Sequence, residues 1–306
     1  MKNIVTALLL LVLAAGTACA GENRVAFSRQ VGDKIFLFWA NADGTNVTKA
    51  AEANEGELSP DGTQIAFTVH EAGGQYIAVY DIASKETRVI RNVLTNQNSC
   101  AGWSPDGSKL LFTEYQSKLW RPGYYDFDVN KPAVIMTAKI NMAAPFWSGD
   151  GESLYALDDQ FQKIYRYSAA TGKRLEEIPA SRLAQKATGA SVCDDTVRFH
   201  SSADGKALLF TMPMSKEKCP VCAKFVDGND MKRAVFLYYL GSGRTVRVTP
   251  PDYCVNSAAW AAGGKIVFSA HPAVAGNSGT SNLYRMALGG KPELVVKDAM
   301  SVSSSR

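Results

Sequence analysis

A tight turn followed by an apolar strand recurs along this chain, and that recurrence restricts its fold more than any other feature. The clearest copies are Ser59-Pro60-Asp61-Gly62, running into the apolar residues 64–67, and Ser104-Pro105-Asp106-Gly107, running into 109–112. Looser copies are Ser148-Gly149-Asp150-Gly151 and Ser202-Ala203-Asp204-Gly205, with a worn one at Ala261-Ala262-Gly263-Gly264. Proline fixes its own φ, aspartate bonds back to the backbone and glycine accepts a positive φ, so the tetrapeptide specifies a turn. Aligned on Phe27, Phe67, Phe112, Ala156, Phe210 and Phe268, the units follow at spacings of 40, 45, 44, 54 and 58 residues. Between the turns lie short Ile/Val/Leu/Phe/Tyr runs bounded by Gly, Asp, Asn and Ser, with almost no helical periodicity.

The second unit reads as four strands, over residues 57–59, 64–69, 76–82 and 88–93. Six four-stranded units of this length predict an all-β, six-bladed β-propeller. The first unit begins directly at its second strand, residues 24–28, while the chain has Ser301-Val302-Ser303-Ser304 to spare after the sixth unit. That segment is expected to supply the missing innermost strand and close the ring, leaving no open sheet edge.

Residues 1–20 are set apart from the fold. Lys2, an apolar run from Ile4 to Ala15 and the small-x-small pattern Ala18-Cys19-Ala20 read as a secretory signal cut after Ala20. The run is short of the roughly 20 apolar residues a spanning helix needs, and no comparable run follows. A second reading makes Cys19 a lipidated first residue, anchoring the protein; Gly16 stands where such signals usually carry Leu, which favours simple cleavage. The expected mature protein is one propeller domain over 21–306, periplasmic or secreted, without a transmembrane segment. A monomer is expected.

Composition limits the partners. With 46% hydrophobic and 20% charged residues the chain has an ordinary globular make-up, and 33 Lys+Arg against 29 Asp+Glu give only a mild positive charge. No basic run is long enough to track a phosphate backbone, so nucleic acid is not an expected partner.

The Ser-Pro-Asp-Gly copies at Ser59 and Ser104, together with Phe38-Trp39-Ala40-Asn41-Ala42-Asp43-Gly44-Thr45-Asn46, resemble the propeller repeats of the TolB family. The resemblance is to the propeller module: the family's α/β domain ahead of the propeller has no counterpart, and the clear motifs lie in the first three units. It implies a non-enzymatic role in the cell envelope, where TolB-type propellers dock proteins and peptides, among them a peptidoglycan-associated lipoprotein and colicin translocator peptides.

Propeller geometry sorts the remaining residues onto two faces. Turns joining first to second and third to fourth strands lie on one face; second-to-third loops and blade-to-blade connections lie on the other. The Asp-Gly turns occupy the first face. The expanded connections, residues 178–195 and 212–232, fall on the second, where long loops point to a binding surface. Candidate contacts there are Lys216, Lys218, Lys224, Asp227 and Asp230, with Trp120 and Arg121 from the stretch Trp120-Arg121-Pro122-Gly123-Tyr124-Tyr125, whose residue types are common in binding hot spots.

All five cysteines after residue 20 are also expected on the second face. Cys100 and Cys254 are placed just ahead of the third and sixth units, and Cys193, Cys219 and Cys222 in the expanded loops. In an exported protein Cys219 and Cys222, with Cys193 or Cys254, are candidate disulfide partners. Cys219-Pro220-Val221-Cys222 lacks the His that c-type haem attachment needs, since Ala223 follows. Zinc held by these thiolates is the rival reading, but no second C-x-x-C pair exists.

Catalytic signatures are sparse. No G-x-S-x-G elbow and no H-E-x-x-H helix occur. Asp126-Phe127-Asp128-Val129-Asn130 begins like a calcium loop, but Lys131 replaces the required Gly. His70 and His271 occupy equivalent strand ends, matched by Gln30 in the first unit, and His200 falls on an innermost strand. A propeller lyase acting on oligogalacturonate holds its metal with His and Gln in such a central site. A metal-dependent carbohydrate lyase using Gln30, His70, His200 and His271 is therefore the alternative function. The favoured reading is a protein- or peptide-binding module without cofactor.

Overall fold

The computed structural model describes residues 23–91, 93, 95, 97–134, 140–180, 183, 197–214, 233–272 and 280–306. Its strands form six four-stranded antiparallel sheets arranged as blades. Blade one contains β1 (Arg24–Val31), β2 (Lys34–Asn41) and β3 (Thr48–Glu52); blade two contains β4 (Gly56–Leu58), β5 (Gln64–Glu71), β6 (Gly74–Asp81) and β7 (Thr87–Ile90). Blade three has β8 (Asn98–Trp103), β9 (Lys109–Gln116), β10 (Leu119–Asp126) and β11 (Lys131–Val134); blade four has β12 (Met142–Trp147), β13 (Ser153–Asp158), β14 (Lys163–Ser168) and β15 (Arg174–Pro179). Blade five has β16 (Phe199–Ser201), β17 (Ala207–Pro213), β18 (Arg233–Tyr239) and β19 (Arg244–Arg247); blade six has β20 (Tyr253–Ala261), β21 (Lys265–Pro272), β22 (Asn282–Met286) and β23 (Glu293–Val296). The final strand, β24 (Val302–Ser304), returns to blade one as its innermost strand.

The expected ring closure is present. β24 pairs antiparallel with β1, setting Ser304 opposite Val25 and Val302 opposite Phe27. Its flanks are tied to both neighbouring blades: the Val302 N–H donates to Ser257 Oγ at 2.9 Å, and the Ser303 hydroxyl donates to the Gly56 carbonyl at 2.9 Å. The seam therefore has no unpaired strand edge.

Strand position dictates composition. The middle strand β17, sandwiched between blades on both faces, is buried along its whole length with the sequence ALLFTMP. The outer strand β15 is mostly exposed and carries Arg174, Glu176 and Glu177, charges that discourage pairing with another chain. The core consists of layers between adjacent blades. Between blades four and five, Phe146 stacks on Tyr155 at 4.9 Å and on Phe199 at 5.5 Å, while Phe210 stacks on Phe236 at 5.8 Å. Each such fully buried ring stabilises the fold by about 1.5–3 kcal/mol through removal of apolar surface from water.

The repeated turn is held by one hydrogen-bond pattern. The Oγ atoms of Ser59, Ser104, Ser148 and Ser202 donate to Asp61, Asp106, Asp150 and Asp204. Each Oγ also accepts a backbone N–H five residues on, at 2.9 Å in all four cases. Gly62, Gly107, Gly151 and Gly205 follow with φ of +74°, +74°, +74° and +67°, the left-handed region that glycine enters without strain. Burial would raise the Asp61 and Asp106 carboxyls, yet the donated serine and backbone bonds outweigh it and hold both below the ordinary carboxylate range. At Asp150 and Asp204 the hydroxyls of Ser148 and Ser202 are the leading cause of the same depression.

One expectation about strand placement is corrected. Cys100 and Cys254 lie inside β8 and β20, not ahead of them, because bulges at Cys100/Gly102 and Val255/Ser257 lengthen these innermost strands toward the second face. Trp120 to Tyr125 all lie within β10. A turn at Ser117 and Lys118, with φ of 52° and 67°, begins the strand at Leu119.

Candidate functional site

The innermost strands line the axial channel, and near the first face it is almost filled. Trp103, Phe146, Trp147 and Phe199 form much of its wall, with Pro60 and Pro105 from the turns at the rim. The remaining free space is ≈ 50 Å³, enough for a few waters only. Trp103 and Trp260 stitch neighbouring blades: their indole N–H groups donate to the carbonyls of Glu57 at 2.9 Å and His200 at 3.1 Å.

Glu57, His200 and Arg306 share this space. Glu57 and His200 occupy the same register position in their blades, opposite Ala66 and Leu209. Both are half-buried and line the channel wall. Burial pushes the Glu57 carboxyl up to about 7, with Arg306 opposing the shift. Burial also takes the His200 imidazole down to about 3, helped by Arg306 and Arg198, so the ring is neutral at physiological pH. Arg306 extends the closing strand, its backbone N–H donating to the Pro60 carbonyl at 3.1 Å.

The four polar residues proposed for a channel metal are not brought together. His200 stands near the first face, on β16, whereas Gln30, His70 and His271 occupy the second-face ends of β1, β5 and β21. Gln30 is exposed and bonds locally to the Gly32 carbonyl at 3.1 Å. His70 is exposed beside Gln75, with 3.3 Å between its Nδ1 and the Gln75 amide nitrogen. His271 faces Cys254 across the β20–β21 pair. Among the described residues no group of three or more His, Cys, Asp or Glu side chains could hold a metal ion. Cys254 is buried; Cys193, Cys219 and Cys222, the other disulfide candidates, lie outside the described residues, as do Lys216, Lys218, Lys224, Asp227 and Asp230.

Trp120 and Arg121 diverge, because successive strand residues face opposite sides of the sheet. Trp120 pairs with Tyr115, which is 42% exposed, and the two rings lie 5.3 Å apart on the second-face hairpin of blade three. The Trp120 N–H donates to Asn141 Oδ1 at 2.9 Å, and Ile140, 41% exposed, precedes that residue. Arg121 instead stands opposite Glu114, which is fully buried. Burial raises the Glu114 carboxyl and Arg121 counters it.

Sequence reasoning missed Glu57 and Arg306 as channel residues. A signal existed: in the aligned copies Glu57 and His200 both fall two residues before the turn serine, where blades three, four and six carry Gly102, Phe146 and Ala259.

Among the described residues no helix is long and apolar enough to cross a membrane. No family model and no curated protein matches the chain. Solved structures do. TolB from Acinetobacter baumannii superposes with a TM-score of 0.63 at 16% identity, covering 94% of this chain and 67% of that one. A TolB candidate from Agrobacterium tumefaciens gives 0.53 at 15% identity over 91% of this chain and 92% of that chain. The β-propeller domain of the Trilobed protease from Pyrococcus furiosus gives 0.52 at 16% identity, over 90% and 82%. That propeller has an open velcro topology, whereas β24 closes the seam here. At these identities the likeness concerns architecture: the chain has the six-bladed propeller fold found in TolB-like proteins.

Proposed function

We propose that the chain is an exported docking module that binds a protein or peptide of the cell envelope through its second face, without catalysis. The observation that carries this reading is the Tyr115–Trp120 pair, two aromatic rings 5.3 Å apart on an exposed hairpin tip beside the exposed Ile140. Aromatic side chains of this kind supply large contact area at low conformational cost. Under this proposal Lys216, Lys218, Lys224, Asp227 and Asp230, from the expanded connection of the sequence, add charged contacts to the partner. The envelope address rests on the signal-like residues 1–20.

Co-purification from the envelope tests the proposal. One partner should be retained by the wild type and lost on deletion of residues 216–230 or in Trp120→Ala, with the thermal transition of the propeller unchanged. Stoichiometric manganese, calcium or zinc in the purified protein, with activity on a polyuronide, would sink it in favour of the lyase.

A further inference from the structure

A second concavity opens on the first face, between blades four and five, far from the second-face hairpin. It has a volume of ≈ 570 Å³, in the range of pockets that hold small ligands or short peptide segments. Its floor is a row of three side chains across one sheet. Tyr155 on β13 is paired with Arg166 on β14, and Arg166 with Glu176 on β15, so all three project from the same face of blade four toward blade five. Leu240 and the turn after it form the opposite wall, and Lys206 stands at the rim.

Two groups in that row have hydrogen-bonding capacity left over. Tyr155 is only 2% exposed, its ring stacked on Phe146, yet its hydroxyl bonds to no described residue. Burial raises its pKa, with the Arg166 charge opposing, so the phenol stays protonated and can donate. The Arg166 guanidinium lies 5.9 Å from the Tyr155 ring centroid and is oriented by its Nε–H, which donates to Ser153 Oγ at 3.0 Å. Its terminal N–H groups bond to no described residue. Asp150 is already committed to its own turn, accepting from Ser148 and from the Glu152 N–H at 2.9 Å. Glu176 is exposed and has no hydrogen bond to a described residue.

We infer that this groove binds a carboxylate, held by the terminal N–H groups of Arg166 and the hydroxyl of Tyr155, with Glu176 accepting a neighbouring N–H of the same ligand. A guanidinium fixed at Nε presents its remaining N–H pair as a planar fork, the geometry that matches a carboxylate in two parallel bonds. Lys206 adds positive charge at the rim. A carboxylate next to an amide N–H is the chemistry of a peptide, supplied either by a chain terminus or by an acidic side chain.

Four capped peptides separate these sources: acetyl-Gly-Ala-Gly with a free carboxyl end and its amide, and acetyl-Gly-Asp-Gly-amide with its Asn counterpart. The Arg166 Nε–Hε resonance of the full chain is followed by NMR as each is added. At least one carboxylate peptide should move it saturably while its uncharged counterpart does not. Arg166→Gln should weaken that binding about tenfold or more, and Tyr155→Phe several-fold. Tyr155→Phe removes only the hydroxyl, so it serves if Arg166→Gln loosens the fold through Ser153. Equal binding of charged and uncharged peptides, an unmoved resonance for all four, or unchanged affinity in Tyr155→Phe would overturn the assignment.

Discussion

The backbone N–H of Leu58 donates to the hydroxyl of Ser303 at 3.0 Å across a sequence separation of 245 residues. Blade two is thereby fastened to the strand that closes blade one. Because the same hydroxyl donates to the Gly56 carbonyl, Ser303→Ala would leave a buried N–H and a carbonyl without partners at the seam. The expected cost is about 1–3 kcal/mol, read as a lower urea midpoint with an unchanged slope.

Deleting residues 301–306 removes the closing strand altogether. The Val25 to Phe27 segment of β1 then becomes an open edge on a hydrophobic blade. Hydrogen exchange of the β1 amides should accelerate strongly, and size-exclusion chromatography should show larger species than for the intact chain.

Gly149 stands where blades two and three carry Pro60 and Pro105. A Cβ at Gly149 would run into the Ser202 carbonyl and the Ala203 backbone of blade five, while its N–H donates to Ser201 Oγ at 3.0 Å. Gly149→Ala is therefore expected to destabilise the fold by about 2–3 kcal/mol through overpacking against backbone that cannot move away. Gly241→Ala, with nothing within 4 Å of its added carbon, is the control and should leave the urea midpoint in place.

The channel makes stability depend on pH in two opposing ways. Glu57, raised from 4.5 to about 7, binds its proton more tightly when folded, so its contribution is complete below pH 4.5 and is lost as pH rises through 7. His200, depressed from 6.5 to about 3, contributes stability above pH 6.5 that is lost as pH falls toward 3. Between pH 4.5 and 6.5 the two slopes oppose each other. Glu57→Gln removes one of them: the variant should gain stability over wild type as pH rises, to at most about 3 kcal/mol on the alkaline side. Urea midpoints at about pH 4, 6 and 8 check this, and a pH-independent difference would contradict it.

Much of the architecture was legible in the sequence because the turn is local chemistry. Serine, aspartate and glycine at fixed offsets make the same bonds in four blades, so their spacing counts the ring. The spare Ser301–Ser304 segment likewise foretold the closing strand. What escaped the sequence depends on register between distant strands. Bulges moved Cys100 and Cys254 inside their strands, and alternation sent Trp120 to the surface and Arg121 toward buried Glu114. The convergence of Glu57, His200 and Arg306 needs three separate blades to meet at one axis. The row of Tyr155, Arg166 and Glu176 exists only through pairing across β13, β14 and β15.

Site-specific photo-cross-linking tests the docking account most directly. A photoreactive residue at position 118, on the second-face hairpin turn beside Tyr115 and Trp120, should form an adduct with one envelope protein. The same residue at position 84, in a first-face turn of blade two, should form none with that protein. Adducts from position 84 alone, or equal adducts from both positions, would contradict the assignment of partner binding to the second face.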